Sequence, residues 1–153
     1  MAYDIEVKEL PARSVATVRV TTTPDKMGQA FGEVLPQVFE YLKSQGIEPS
    51  GSGFGIFYAY DADRADMDIG LPVDRDVEGN GRVVGQRLEA ATFAVTWHEG
   101  SYQKIGEAHR AVEEWIKAND REAAGPPWEV YWTGPAQGGP PAGYRTEVGY
   151  PIR

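Results

Sequence analysis

The chain has 153 residues and carries 23 Asp and Glu against 15 Lys and Arg, a formal net charge of −8. This charge argues against a nucleic-acid partner, because neutralising phosphates needs clustered Lys and Arg, and it suits a cationic partner or simply a solvated surface. Without cysteine there is no disulfide, no thiolate nucleophile and no Cys-ligated metal. No apolar run approaches the ~20 residues of a membrane span, and no signal-peptide pattern is present, so we expect a cytoplasmic protein without membrane association.

The first half of the chain reads as two strands, a helix and two more strands. The strands are predicted from alternating or β-rich composition over residues 4–10, 14–20, 54–60 and 66–73. Thr23 followed by Pro24 predicts a helix start, and Gly46 predicts its end. Pro36 lies inside the helical pattern and predicts a kink or a break into two helices.

The second half repeats this plan. Strands are predicted over residues 82–88, 92–98, 128–133 and 144–152, with a Gly/Pro-rich loop over residues 134–143. Ser101 is the predicted N-cap of a second helix. The apolar stripe of that helix consists of Ile105, Ala108, Val112 and Trp115 with Ile116.

The two halves align with each other when the chain is shifted by 78 positions. Matched residues include Leu10 with Leu88, Ala16 with Ala94, Lys26 with Lys104, Gly28 with Gly106, Val34 with Val112 and Pro49 with Pro127. One further residue of slippage places residues 68–73 over 147–152. We therefore predict a single domain over residues 1–153, with repeat one at 1–78 and repeat two at 79–153. The expected fold is α+β, a duplicated ββαββ (SHS2-like) plan with pseudo-twofold symmetry, a concave antiparallel sheet and helices on its other face.

The segment from Trp128 to Trp132 is the most informative local feature. Period two places Glu129 and Tyr131 on one face of a strand otherwise built from strong β formers. The matching residue of the first repeat is Gly55, so one copy carries a carboxylate that the other lacks. Such a Glu is either solvated on an open face or held among aromatic side chains, where it attracts a cation.

Other charged or titratable residues receive simpler interpretations. His98, at a strand end, either bonds locally or acts as a general base, and local bonding is the favoured reading. His109 is interpreted as an exposed i,i+4 partner of Glu113. Glu147 lies over Asp68 in the duplication, which predicts a solvated face or a contact between the two copies. We predict neither a metal site nor a cofactor.

These residues resemble a known family, the GyrI-like (gyrase-inhibitory-protein-like) small-molecule-binding domain, which is the effector-binding domain of AraC-type and MerR-type multidrug regulators. The similar segments are His98-x-Gly100-Ser101-Tyr102-x-x-Ile105-Gly106 leading to Trp115, Trp128-Glu129-Val130-Tyr131 followed by Pro135, and Thr146-Glu147-Val148-x-Tyr150-Pro151-Ile152. The chain lacks the DNA-binding domain of those regulators. It is therefore expected to be a stand-alone member without direct nucleic-acid binding.

The resemblance implies an aromatic cleft between the halves with a central Glu, which corresponds to Glu129. Ligand-binding positions implied in the same way are Tyr131, Tyr144, Tyr102, Trp97, Phe57 and Val18. Periodicity leaves open whether Ala16, Val18 and Val20 or the alternate residues of that strand face the cleft.

Two functions from different classes follow. The first is binding of cationic or polar aromatic small molecules, with Glu129 as countercharge. The second is hydrolysis of electrophilic, cyclopropane-bearing molecules, with Glu129 as the catalytic residue that activates water. A weaker third reading is a protein partner, in a role resembling inhibition of DNA gyrase.

Overall fold

The computed structural model describes residues 3–133 and 140–153, apart from the side chain of Pro141. Within these residues the elements in chain order are β1 (Glu6–Leu10), β2 (Arg13–Thr22), α1 (Met27–Ser44), β3 (Phe54–Tyr60), β4 (Ala65–Val73), β5 (Val84–Leu88), β6 (Ala91–Glu99), α2 (Ile105–Ala118), β7 (Trp128–Thr133) and β8 (Arg145–Ile152). Short 3-10 turns precede the helices at Pro24–Lys26 and Tyr102–Lys104. Every predicted strand and both helices are confirmed. Most of the predicted loop over 134–143, including Pro135, lies outside the described residues.

The chain divides into two compact units, each with one four-stranded antiparallel sheet and one helix. The central unit comprises Pro11–Ala90, with strand order β3-β4-β2-β5 and helix α1. The C-terminal unit comprises the chain up to Leu10 together with Ala91–Arg153, with order β1-β6-β8-β7 and helix α2. The predicted α+β class with antiparallel sheets is confirmed. The grouping of residues 1–153 as a single domain stays a prediction.

The compact units do not coincide with the sequence repeats. Strand β1, from the first repeat, pairs with β6, where Val7 lies opposite Ala94. Strand β5, from the second repeat, pairs with β2, where Gly85 lies opposite Ala16. The first strand of each repeat therefore completes the sheet of the unit that contains the helix of the other repeat.

Strand registers confirm the alignment of the two copies. In β3 and β4, Gly55 lies opposite Ile69. In β7 and β8, Glu129 lies opposite Val148. Each ladder then has an irregularity, after Phe57 in one copy and after Tyr131 in the other. Glu129 thus occupies the structural position of Gly55.

Helix α1 covers one face of the central sheet. Its buried residues are Val34, Val38 and Leu42, and the cluster they join includes Ala16 and Val18 of β2. This contact decides which face of β2 turns toward the helix. The predicted break at Pro36 is wrong, because α1 is one helix from Met27 to Ser44. Pro36 lies on the exposed side of the helix, where water can hydrogen-bond a carbonyl group that a proline cannot pair with.

Helix α2 packs in the same way on the C-terminal sheet. Its buried residues Ala108, Val112 and Ile116 match the predicted stripe and cluster with Ala94 and Val148. No helix in the described parts of the chain combines the length and apolar character needed to cross a membrane.

The duplicated carboxylates Asp68 and Glu147 are buried, with exposed fractions of 2% and 8%. Asp68 accepts hydrogen bonds from Nε of Arg19 at 2.9 Å, the hydroxyl of Tyr58 at 2.7 Å and Nε2 of Gln86 at 3.0 Å. Glu147 accepts hydrogen bonds from Nζ of Lys8 at 3.3 Å and Nε1 of Trp132 at 3.1 Å. The prediction of a solvated face for this pair is wrong. These donors account for the burial, since buried carboxylates need hydrogen-bond partners.

Candidate functional site

A buried carboxylate, Glu129, lies on the helix-facing side of the C-terminal sheet. Its exposed fraction is 8%. Oε1 accepts a hydrogen bond from the hydroxyl of Tyr131 at 2.7 Å, and Nε2 of His109 lies 2.6 Å from Oε2. The alternation along β7 brings Glu129 and Tyr131 to the same face, as predicted. Both carboxylate oxygens are therefore held by side chains of the same unit.

His109 connects this carboxylate to a second acidic residue. Its Nδ1 lies 2.8 Å from the hydroxyl oxygen of Tyr150, and that hydroxyl lies 3.0 Å from Oε1 of Glu113. The predicted direct, exposed pair of His109 and Glu113 is wrong. Tyr150 lies between them in the hydrogen-bonded chain, and only 19% of the His109 side chain is exposed.

Beside Glu129, the ring of Tyr102 contacts the rings of two further tyrosines, Tyr131 and Tyr144, and we call these three residues the tyrosine cluster. The rings of Tyr102 and Tyr131 have centroids 5.7 Å apart at an interplanar angle of 69°. The rings of Tyr102 and Tyr144 are 5.2 Å apart at 34°. Tyr102 is 36% exposed, so the cluster reaches solvent from the buried Glu129. Four of the predicted site residues are therefore neighbours.

The hydroxyl groups of Tyr131 and Tyr102 stay protonated at neutral pH. Burial, reinforced by the charge of Glu129 and the hydrogen bond to it, holds the pKa of Tyr131 well above its ordinary value of 10. Burial, followed by the influence of Tyr144 and Glu129, raises the pKa of Tyr102 to about 12. These tyrosines are neutral hydrogen-bond donors, so they add no negative charge beside the carboxylate.

Alkaline pH is expected to destabilise the protein in part through Tyr131. Its pKa is higher in the folded state than the ordinary value of 10, so its contribution to stability is complete below pH 10 and declines as pH rises further. In urea unfolding above pH 10, Tyr131→Phe should reduce the decline in unfolding free energy by about 1.4 kcal/mol per pH unit. Equal slopes for the two proteins would contradict the burial of the Tyr131 hydroxyl beside Glu129.

The same positions are apolar in the first copy. Glu129, His109, Glu113, Tyr131 and Tyr150 correspond, through the shifts of the duplication and the strand registers, to Gly55, Phe31, Leu35, Phe57 and Leu71. In the central unit, Cζ of Phe31 would lie 3.0 Å from a Cβ atom on Gly55. An aromatic ring thus fills the space that the histidine–carboxylate pair occupies in the other copy.

The difference between the two copies is the sequence signal that would have identified His109 as a partner of Glu129. Considered alone, a helical His four residues before a Glu suggests a surface pair. Considered against the duplication, His109 replaces Phe31 while Glu129 replaces Gly55. Polar replacements at two facing positions indicate that the two side chains contact each other.

Trp97 does not lie beside Glu129. It is opposite Glu147 in the sheet, on the face away from α2. Its ring lies 6.2 Å from that of Trp132, with the guanidinium of Arg145 at 4.6 Å. The register of β6 against β8 therefore separates Trp97 from the tyrosine cluster.

Phe57 and Val18 belong to the core of the central unit, in the cluster that packs on α1. Their part in ligand binding stays a prediction.

His98 bonds locally, as the favoured interpretation predicted. It is 3% exposed, its Nδ1 lies 3.0 Å from the hydroxyl of Tyr3, and its Nε2 lies 2.9 Å from the carbonyl oxygen of Ser101. Within the described residues, no three His, Asp or Glu side chains are grouped closely enough to share a metal ion.

Each unit packs one helix on antiparallel strands, and the C-terminal unit holds a polar, tyrosine-lined site. A family model described as the GyrI-like small molecule binding domain matches residues 3–153, and the chain belongs to this family. It is accordingly a small-molecule binding domain. No curated protein sequence shows a significant match.

Several solved structures share the fold. The cryo-EM structure of an EcmrR-DNA complex has a TM-score of 0.91 at 21% identity. The match covers 100% of this chain but only 58% of the EcmrR chain. The crystal structure of the EcmrR C-terminal domain has a TM-score of 0.86 at 21% identity, covering 100% of the chain and 99% of that domain.

Two further structures are more distant in sequence. SAV2435 bound to tetraphenylphosphonium has a TM-score of 0.70 at 13% identity, with 100% and 94% coverage. A hydrolase from Listeria innocua has a TM-score of 0.70 at 13% identity, with 99% and 93% coverage. At sequence identities of 13–21%, these four similarities show a shared fold alone.

Proposed function

We propose that the chain binds cationic aromatic small molecules, with Glu129 as the countercharge and the tyrosine cluster as the ring contacts. The observation that carries the proposal is the difference between the two copies. The central unit builds the same local structure with Gly55 and Phe31, so the fold itself does not require a carboxylate and a histidine there.

Burying the charge of Glu129 costs free energy of folding. The first copy, with Gly55 at this position, avoids that cost. Removing a carboxylate from water is unfavourable by several kcal/mol unless hydrogen bonds or an opposite charge compensate, and an apolar pair of similar volume is often as stable. Tyr131 and His109 supply two hydrogen bonds. A bound cation would supply the opposite charge, in surroundings where screening by water is weak.

The tyrosine cluster supplies contacts that suit an aromatic cation. A cation near a tyrosine ring gains about 0.5–2 kcal/mol, and offset or edge-to-face ring pairs gain about 0.5–1.5 kcal/mol beyond their area. The neutral hydroxyls of Tyr131 and Tyr102 add no charge, so Glu129 supplies the negative charge beside the cluster. Charge and ring faces together favour delocalised organic cations over small hydrated ions.

Tetraphenylphosphonium, the compound named for the SAV2435 structure, is a suitable probe because its charge is permanent and it carries four phenyl rings. Tetraphenylborate has the same shape and the opposite charge. By isothermal titration calorimetry, we expect the cation to bind at least about tenfold more tightly than the anion, a difference of about 1.4 kcal/mol or more. Equal affinities, or preference for the anion, would contradict the proposal.

A hydrolase is the second candidate function, and the contact between His109 and Glu129 is the observation that favours it. A histidine–carboxylate pair is a common arrangement for moving a proton to or from a water molecule. Glu129 would orient or deprotonate the water that attacks a strained, electrophilic ring. Product analysis against the uncatalysed background separates turnover from binding.

A further inference from the structure

We propose that His109 competes with cationic ligands for Glu129. A ligand must then displace the positive charge of the imidazolium, which loses one proton to solvent. This inference rests on the proposed function and specifies how the same site is regulated. Its consequence is that affinity for a permanent cation decreases as pH falls through the range in which imidazoles gain a proton, about pH 5 to 8.

The geometry places an N–H donor where the ligand charge would act. Nε2 of His109 lies 2.6 Å from Oε2 of Glu129, and an ionised carboxylate only accepts hydrogen bonds, so Nε2 is the donor in this contact whenever Glu129 is charged. When the ring also carries a proton on Nδ1, a full positive charge faces the carboxylate. The site then contains its own cation.

The contact of Nδ1 with Tyr150 offers a place for a second proton on His109. The hydroxyl of Tyr150 has one hydrogen but lies within hydrogen-bond distance of both Nδ1 of His109 and Oε1 of Glu113. When Tyr150 donates its hydrogen to Glu113, its contact with His109 needs a hydrogen on Nδ1. Since Nε2 faces Glu129, both ring nitrogens then have an acceptor, as a doubly protonated ring requires.

Other titratable side chains of the site and of β6 have contacts of their own. Tyr131 donates to Glu129 from β7, and Tyr102 and Tyr144 complete the tyrosine cluster. On β6, the strand next to β8, His98 is bonded to Tyr3 and the Ser101 carbonyl. None of these contacts supplies a positive charge to Glu129.

The exchange balances in charge and protons. Before binding, protonated His109 neutralises Glu129; afterwards, the ligand cation neutralises Glu129 and one proton has passed from His109 to solvent. Because the free protein holds more protons than the complex, lower pH opposes binding.

The first test measures tetraphenylphosphonium affinity between about pH 5 and pH 8 by calorimetry. Wild type should lose up to about tenfold in affinity per pH unit over the steep part of this range, as one displaced proton requires. In His109→Gln the loss should be absent, because a glutamine amide can donate to Glu129 but cannot become a cation.

Two variants on α2 with the same change of charge refine this test. Glu113→Gln should move the loss of affinity to lower pH, because the amide donates to Tyr150 and the imidazolium loses its support. Glu114→Gln, at an exposed neighbouring position, should reproduce the wild-type profile. A flat wild-type profile, or an unchanged slope in His109→Gln, would overturn the inference while leaving cation binding intact.

A second test needs no ligand and therefore separates failure of this inference from failure of the proposed function. The protonation of both His109 nitrogens is followed by nitrogen-15 NMR of the free protein. Glu129→Gln and Glu113→Gln should each shift the uptake of the second proton to lower pH than in wild type. Identical titrations in all three proteins would overturn the inference, whatever tetraphenylphosphonium binding shows.

Discussion

Replacing Glu129 with glutamine is expected to weaken tetraphenylphosphonium binding by about 100-fold or more. Removing one member of a buried charge pair typically costs about 2–5 kcal/mol, which corresponds to this range of dissociation constants. Glutamine has nearly the same volume as glutamate and accepts the hydrogen bond from Tyr131. The change therefore tests the charge, and calorimetry at pH 8 measures it with little competition from His109.

Glu114→Gln is the matched control, because it removes one negative charge from the same unit without touching the site. Its affinity should stay within about twofold of wild type, as expected for a surface charge screened by salt. Comparable losses in both variants would mean that the net charge of −8 attracts the cation and that Glu129 has no special role.

Replacing Gly70 with alanine is expected to cost about 3 kcal/mol or more in unfolding free energy, a loss typical of overpacking in a core. A Cβ atom on Gly70 would lie 2.1 Å from the carbonyl oxygen of Ala16 and 2.8 Å from Cγ2 of Thr17. Strand β4 pairs with β2 on one side and β3 on the other, so it cannot move away from this contact. Urea denaturation measures the loss.

Gly32→Ala in α1 serves as the contrasting substitution. A Cβ atom there would meet nothing within 4 Å, and alanine is favoured over glycine in a helix interior by about 1 kcal/mol. The expected result is a more stable protein. If Gly70→Ala were as stable as wild type, the close pairing of β2 and β4 at this point would be wrong.

Local sequence patterns were sufficient to predict the strands, the helices and part of the candidate site. Period-two alternation placed Glu129 and Tyr131 on one strand face, and their hydrogen bond shows the result directly. Gly46, the predicted helix end, has a φ of 72°, which glycine adopts at little cost. Such features depend on neighbouring residues and are therefore visible in the sequence.

Features that depend on strand partners were not visible. Strands β1 and β5 occupy matching places in the two repeats. Their composition could not reveal that β1 pairs with β6 of the second repeat and β5 with β2 of the first. The pairing of Trp97 with Glu147 turned that tryptophan away from the tyrosine cluster. Similarly, Tyr150 of β8 lies between His109 and Glu113, which helix spacing alone had joined directly.

A crystal structure of the protein with tetraphenylphosphonium tests the role of Glu129 most directly. We expect the phosphonium group next to the Glu129 carboxylate, with its phosphorus atom within about 6 Å of a ring centroid of the tyrosine cluster. A cation bound elsewhere, with Glu129 still held only by Tyr131 and His109, would contradict it.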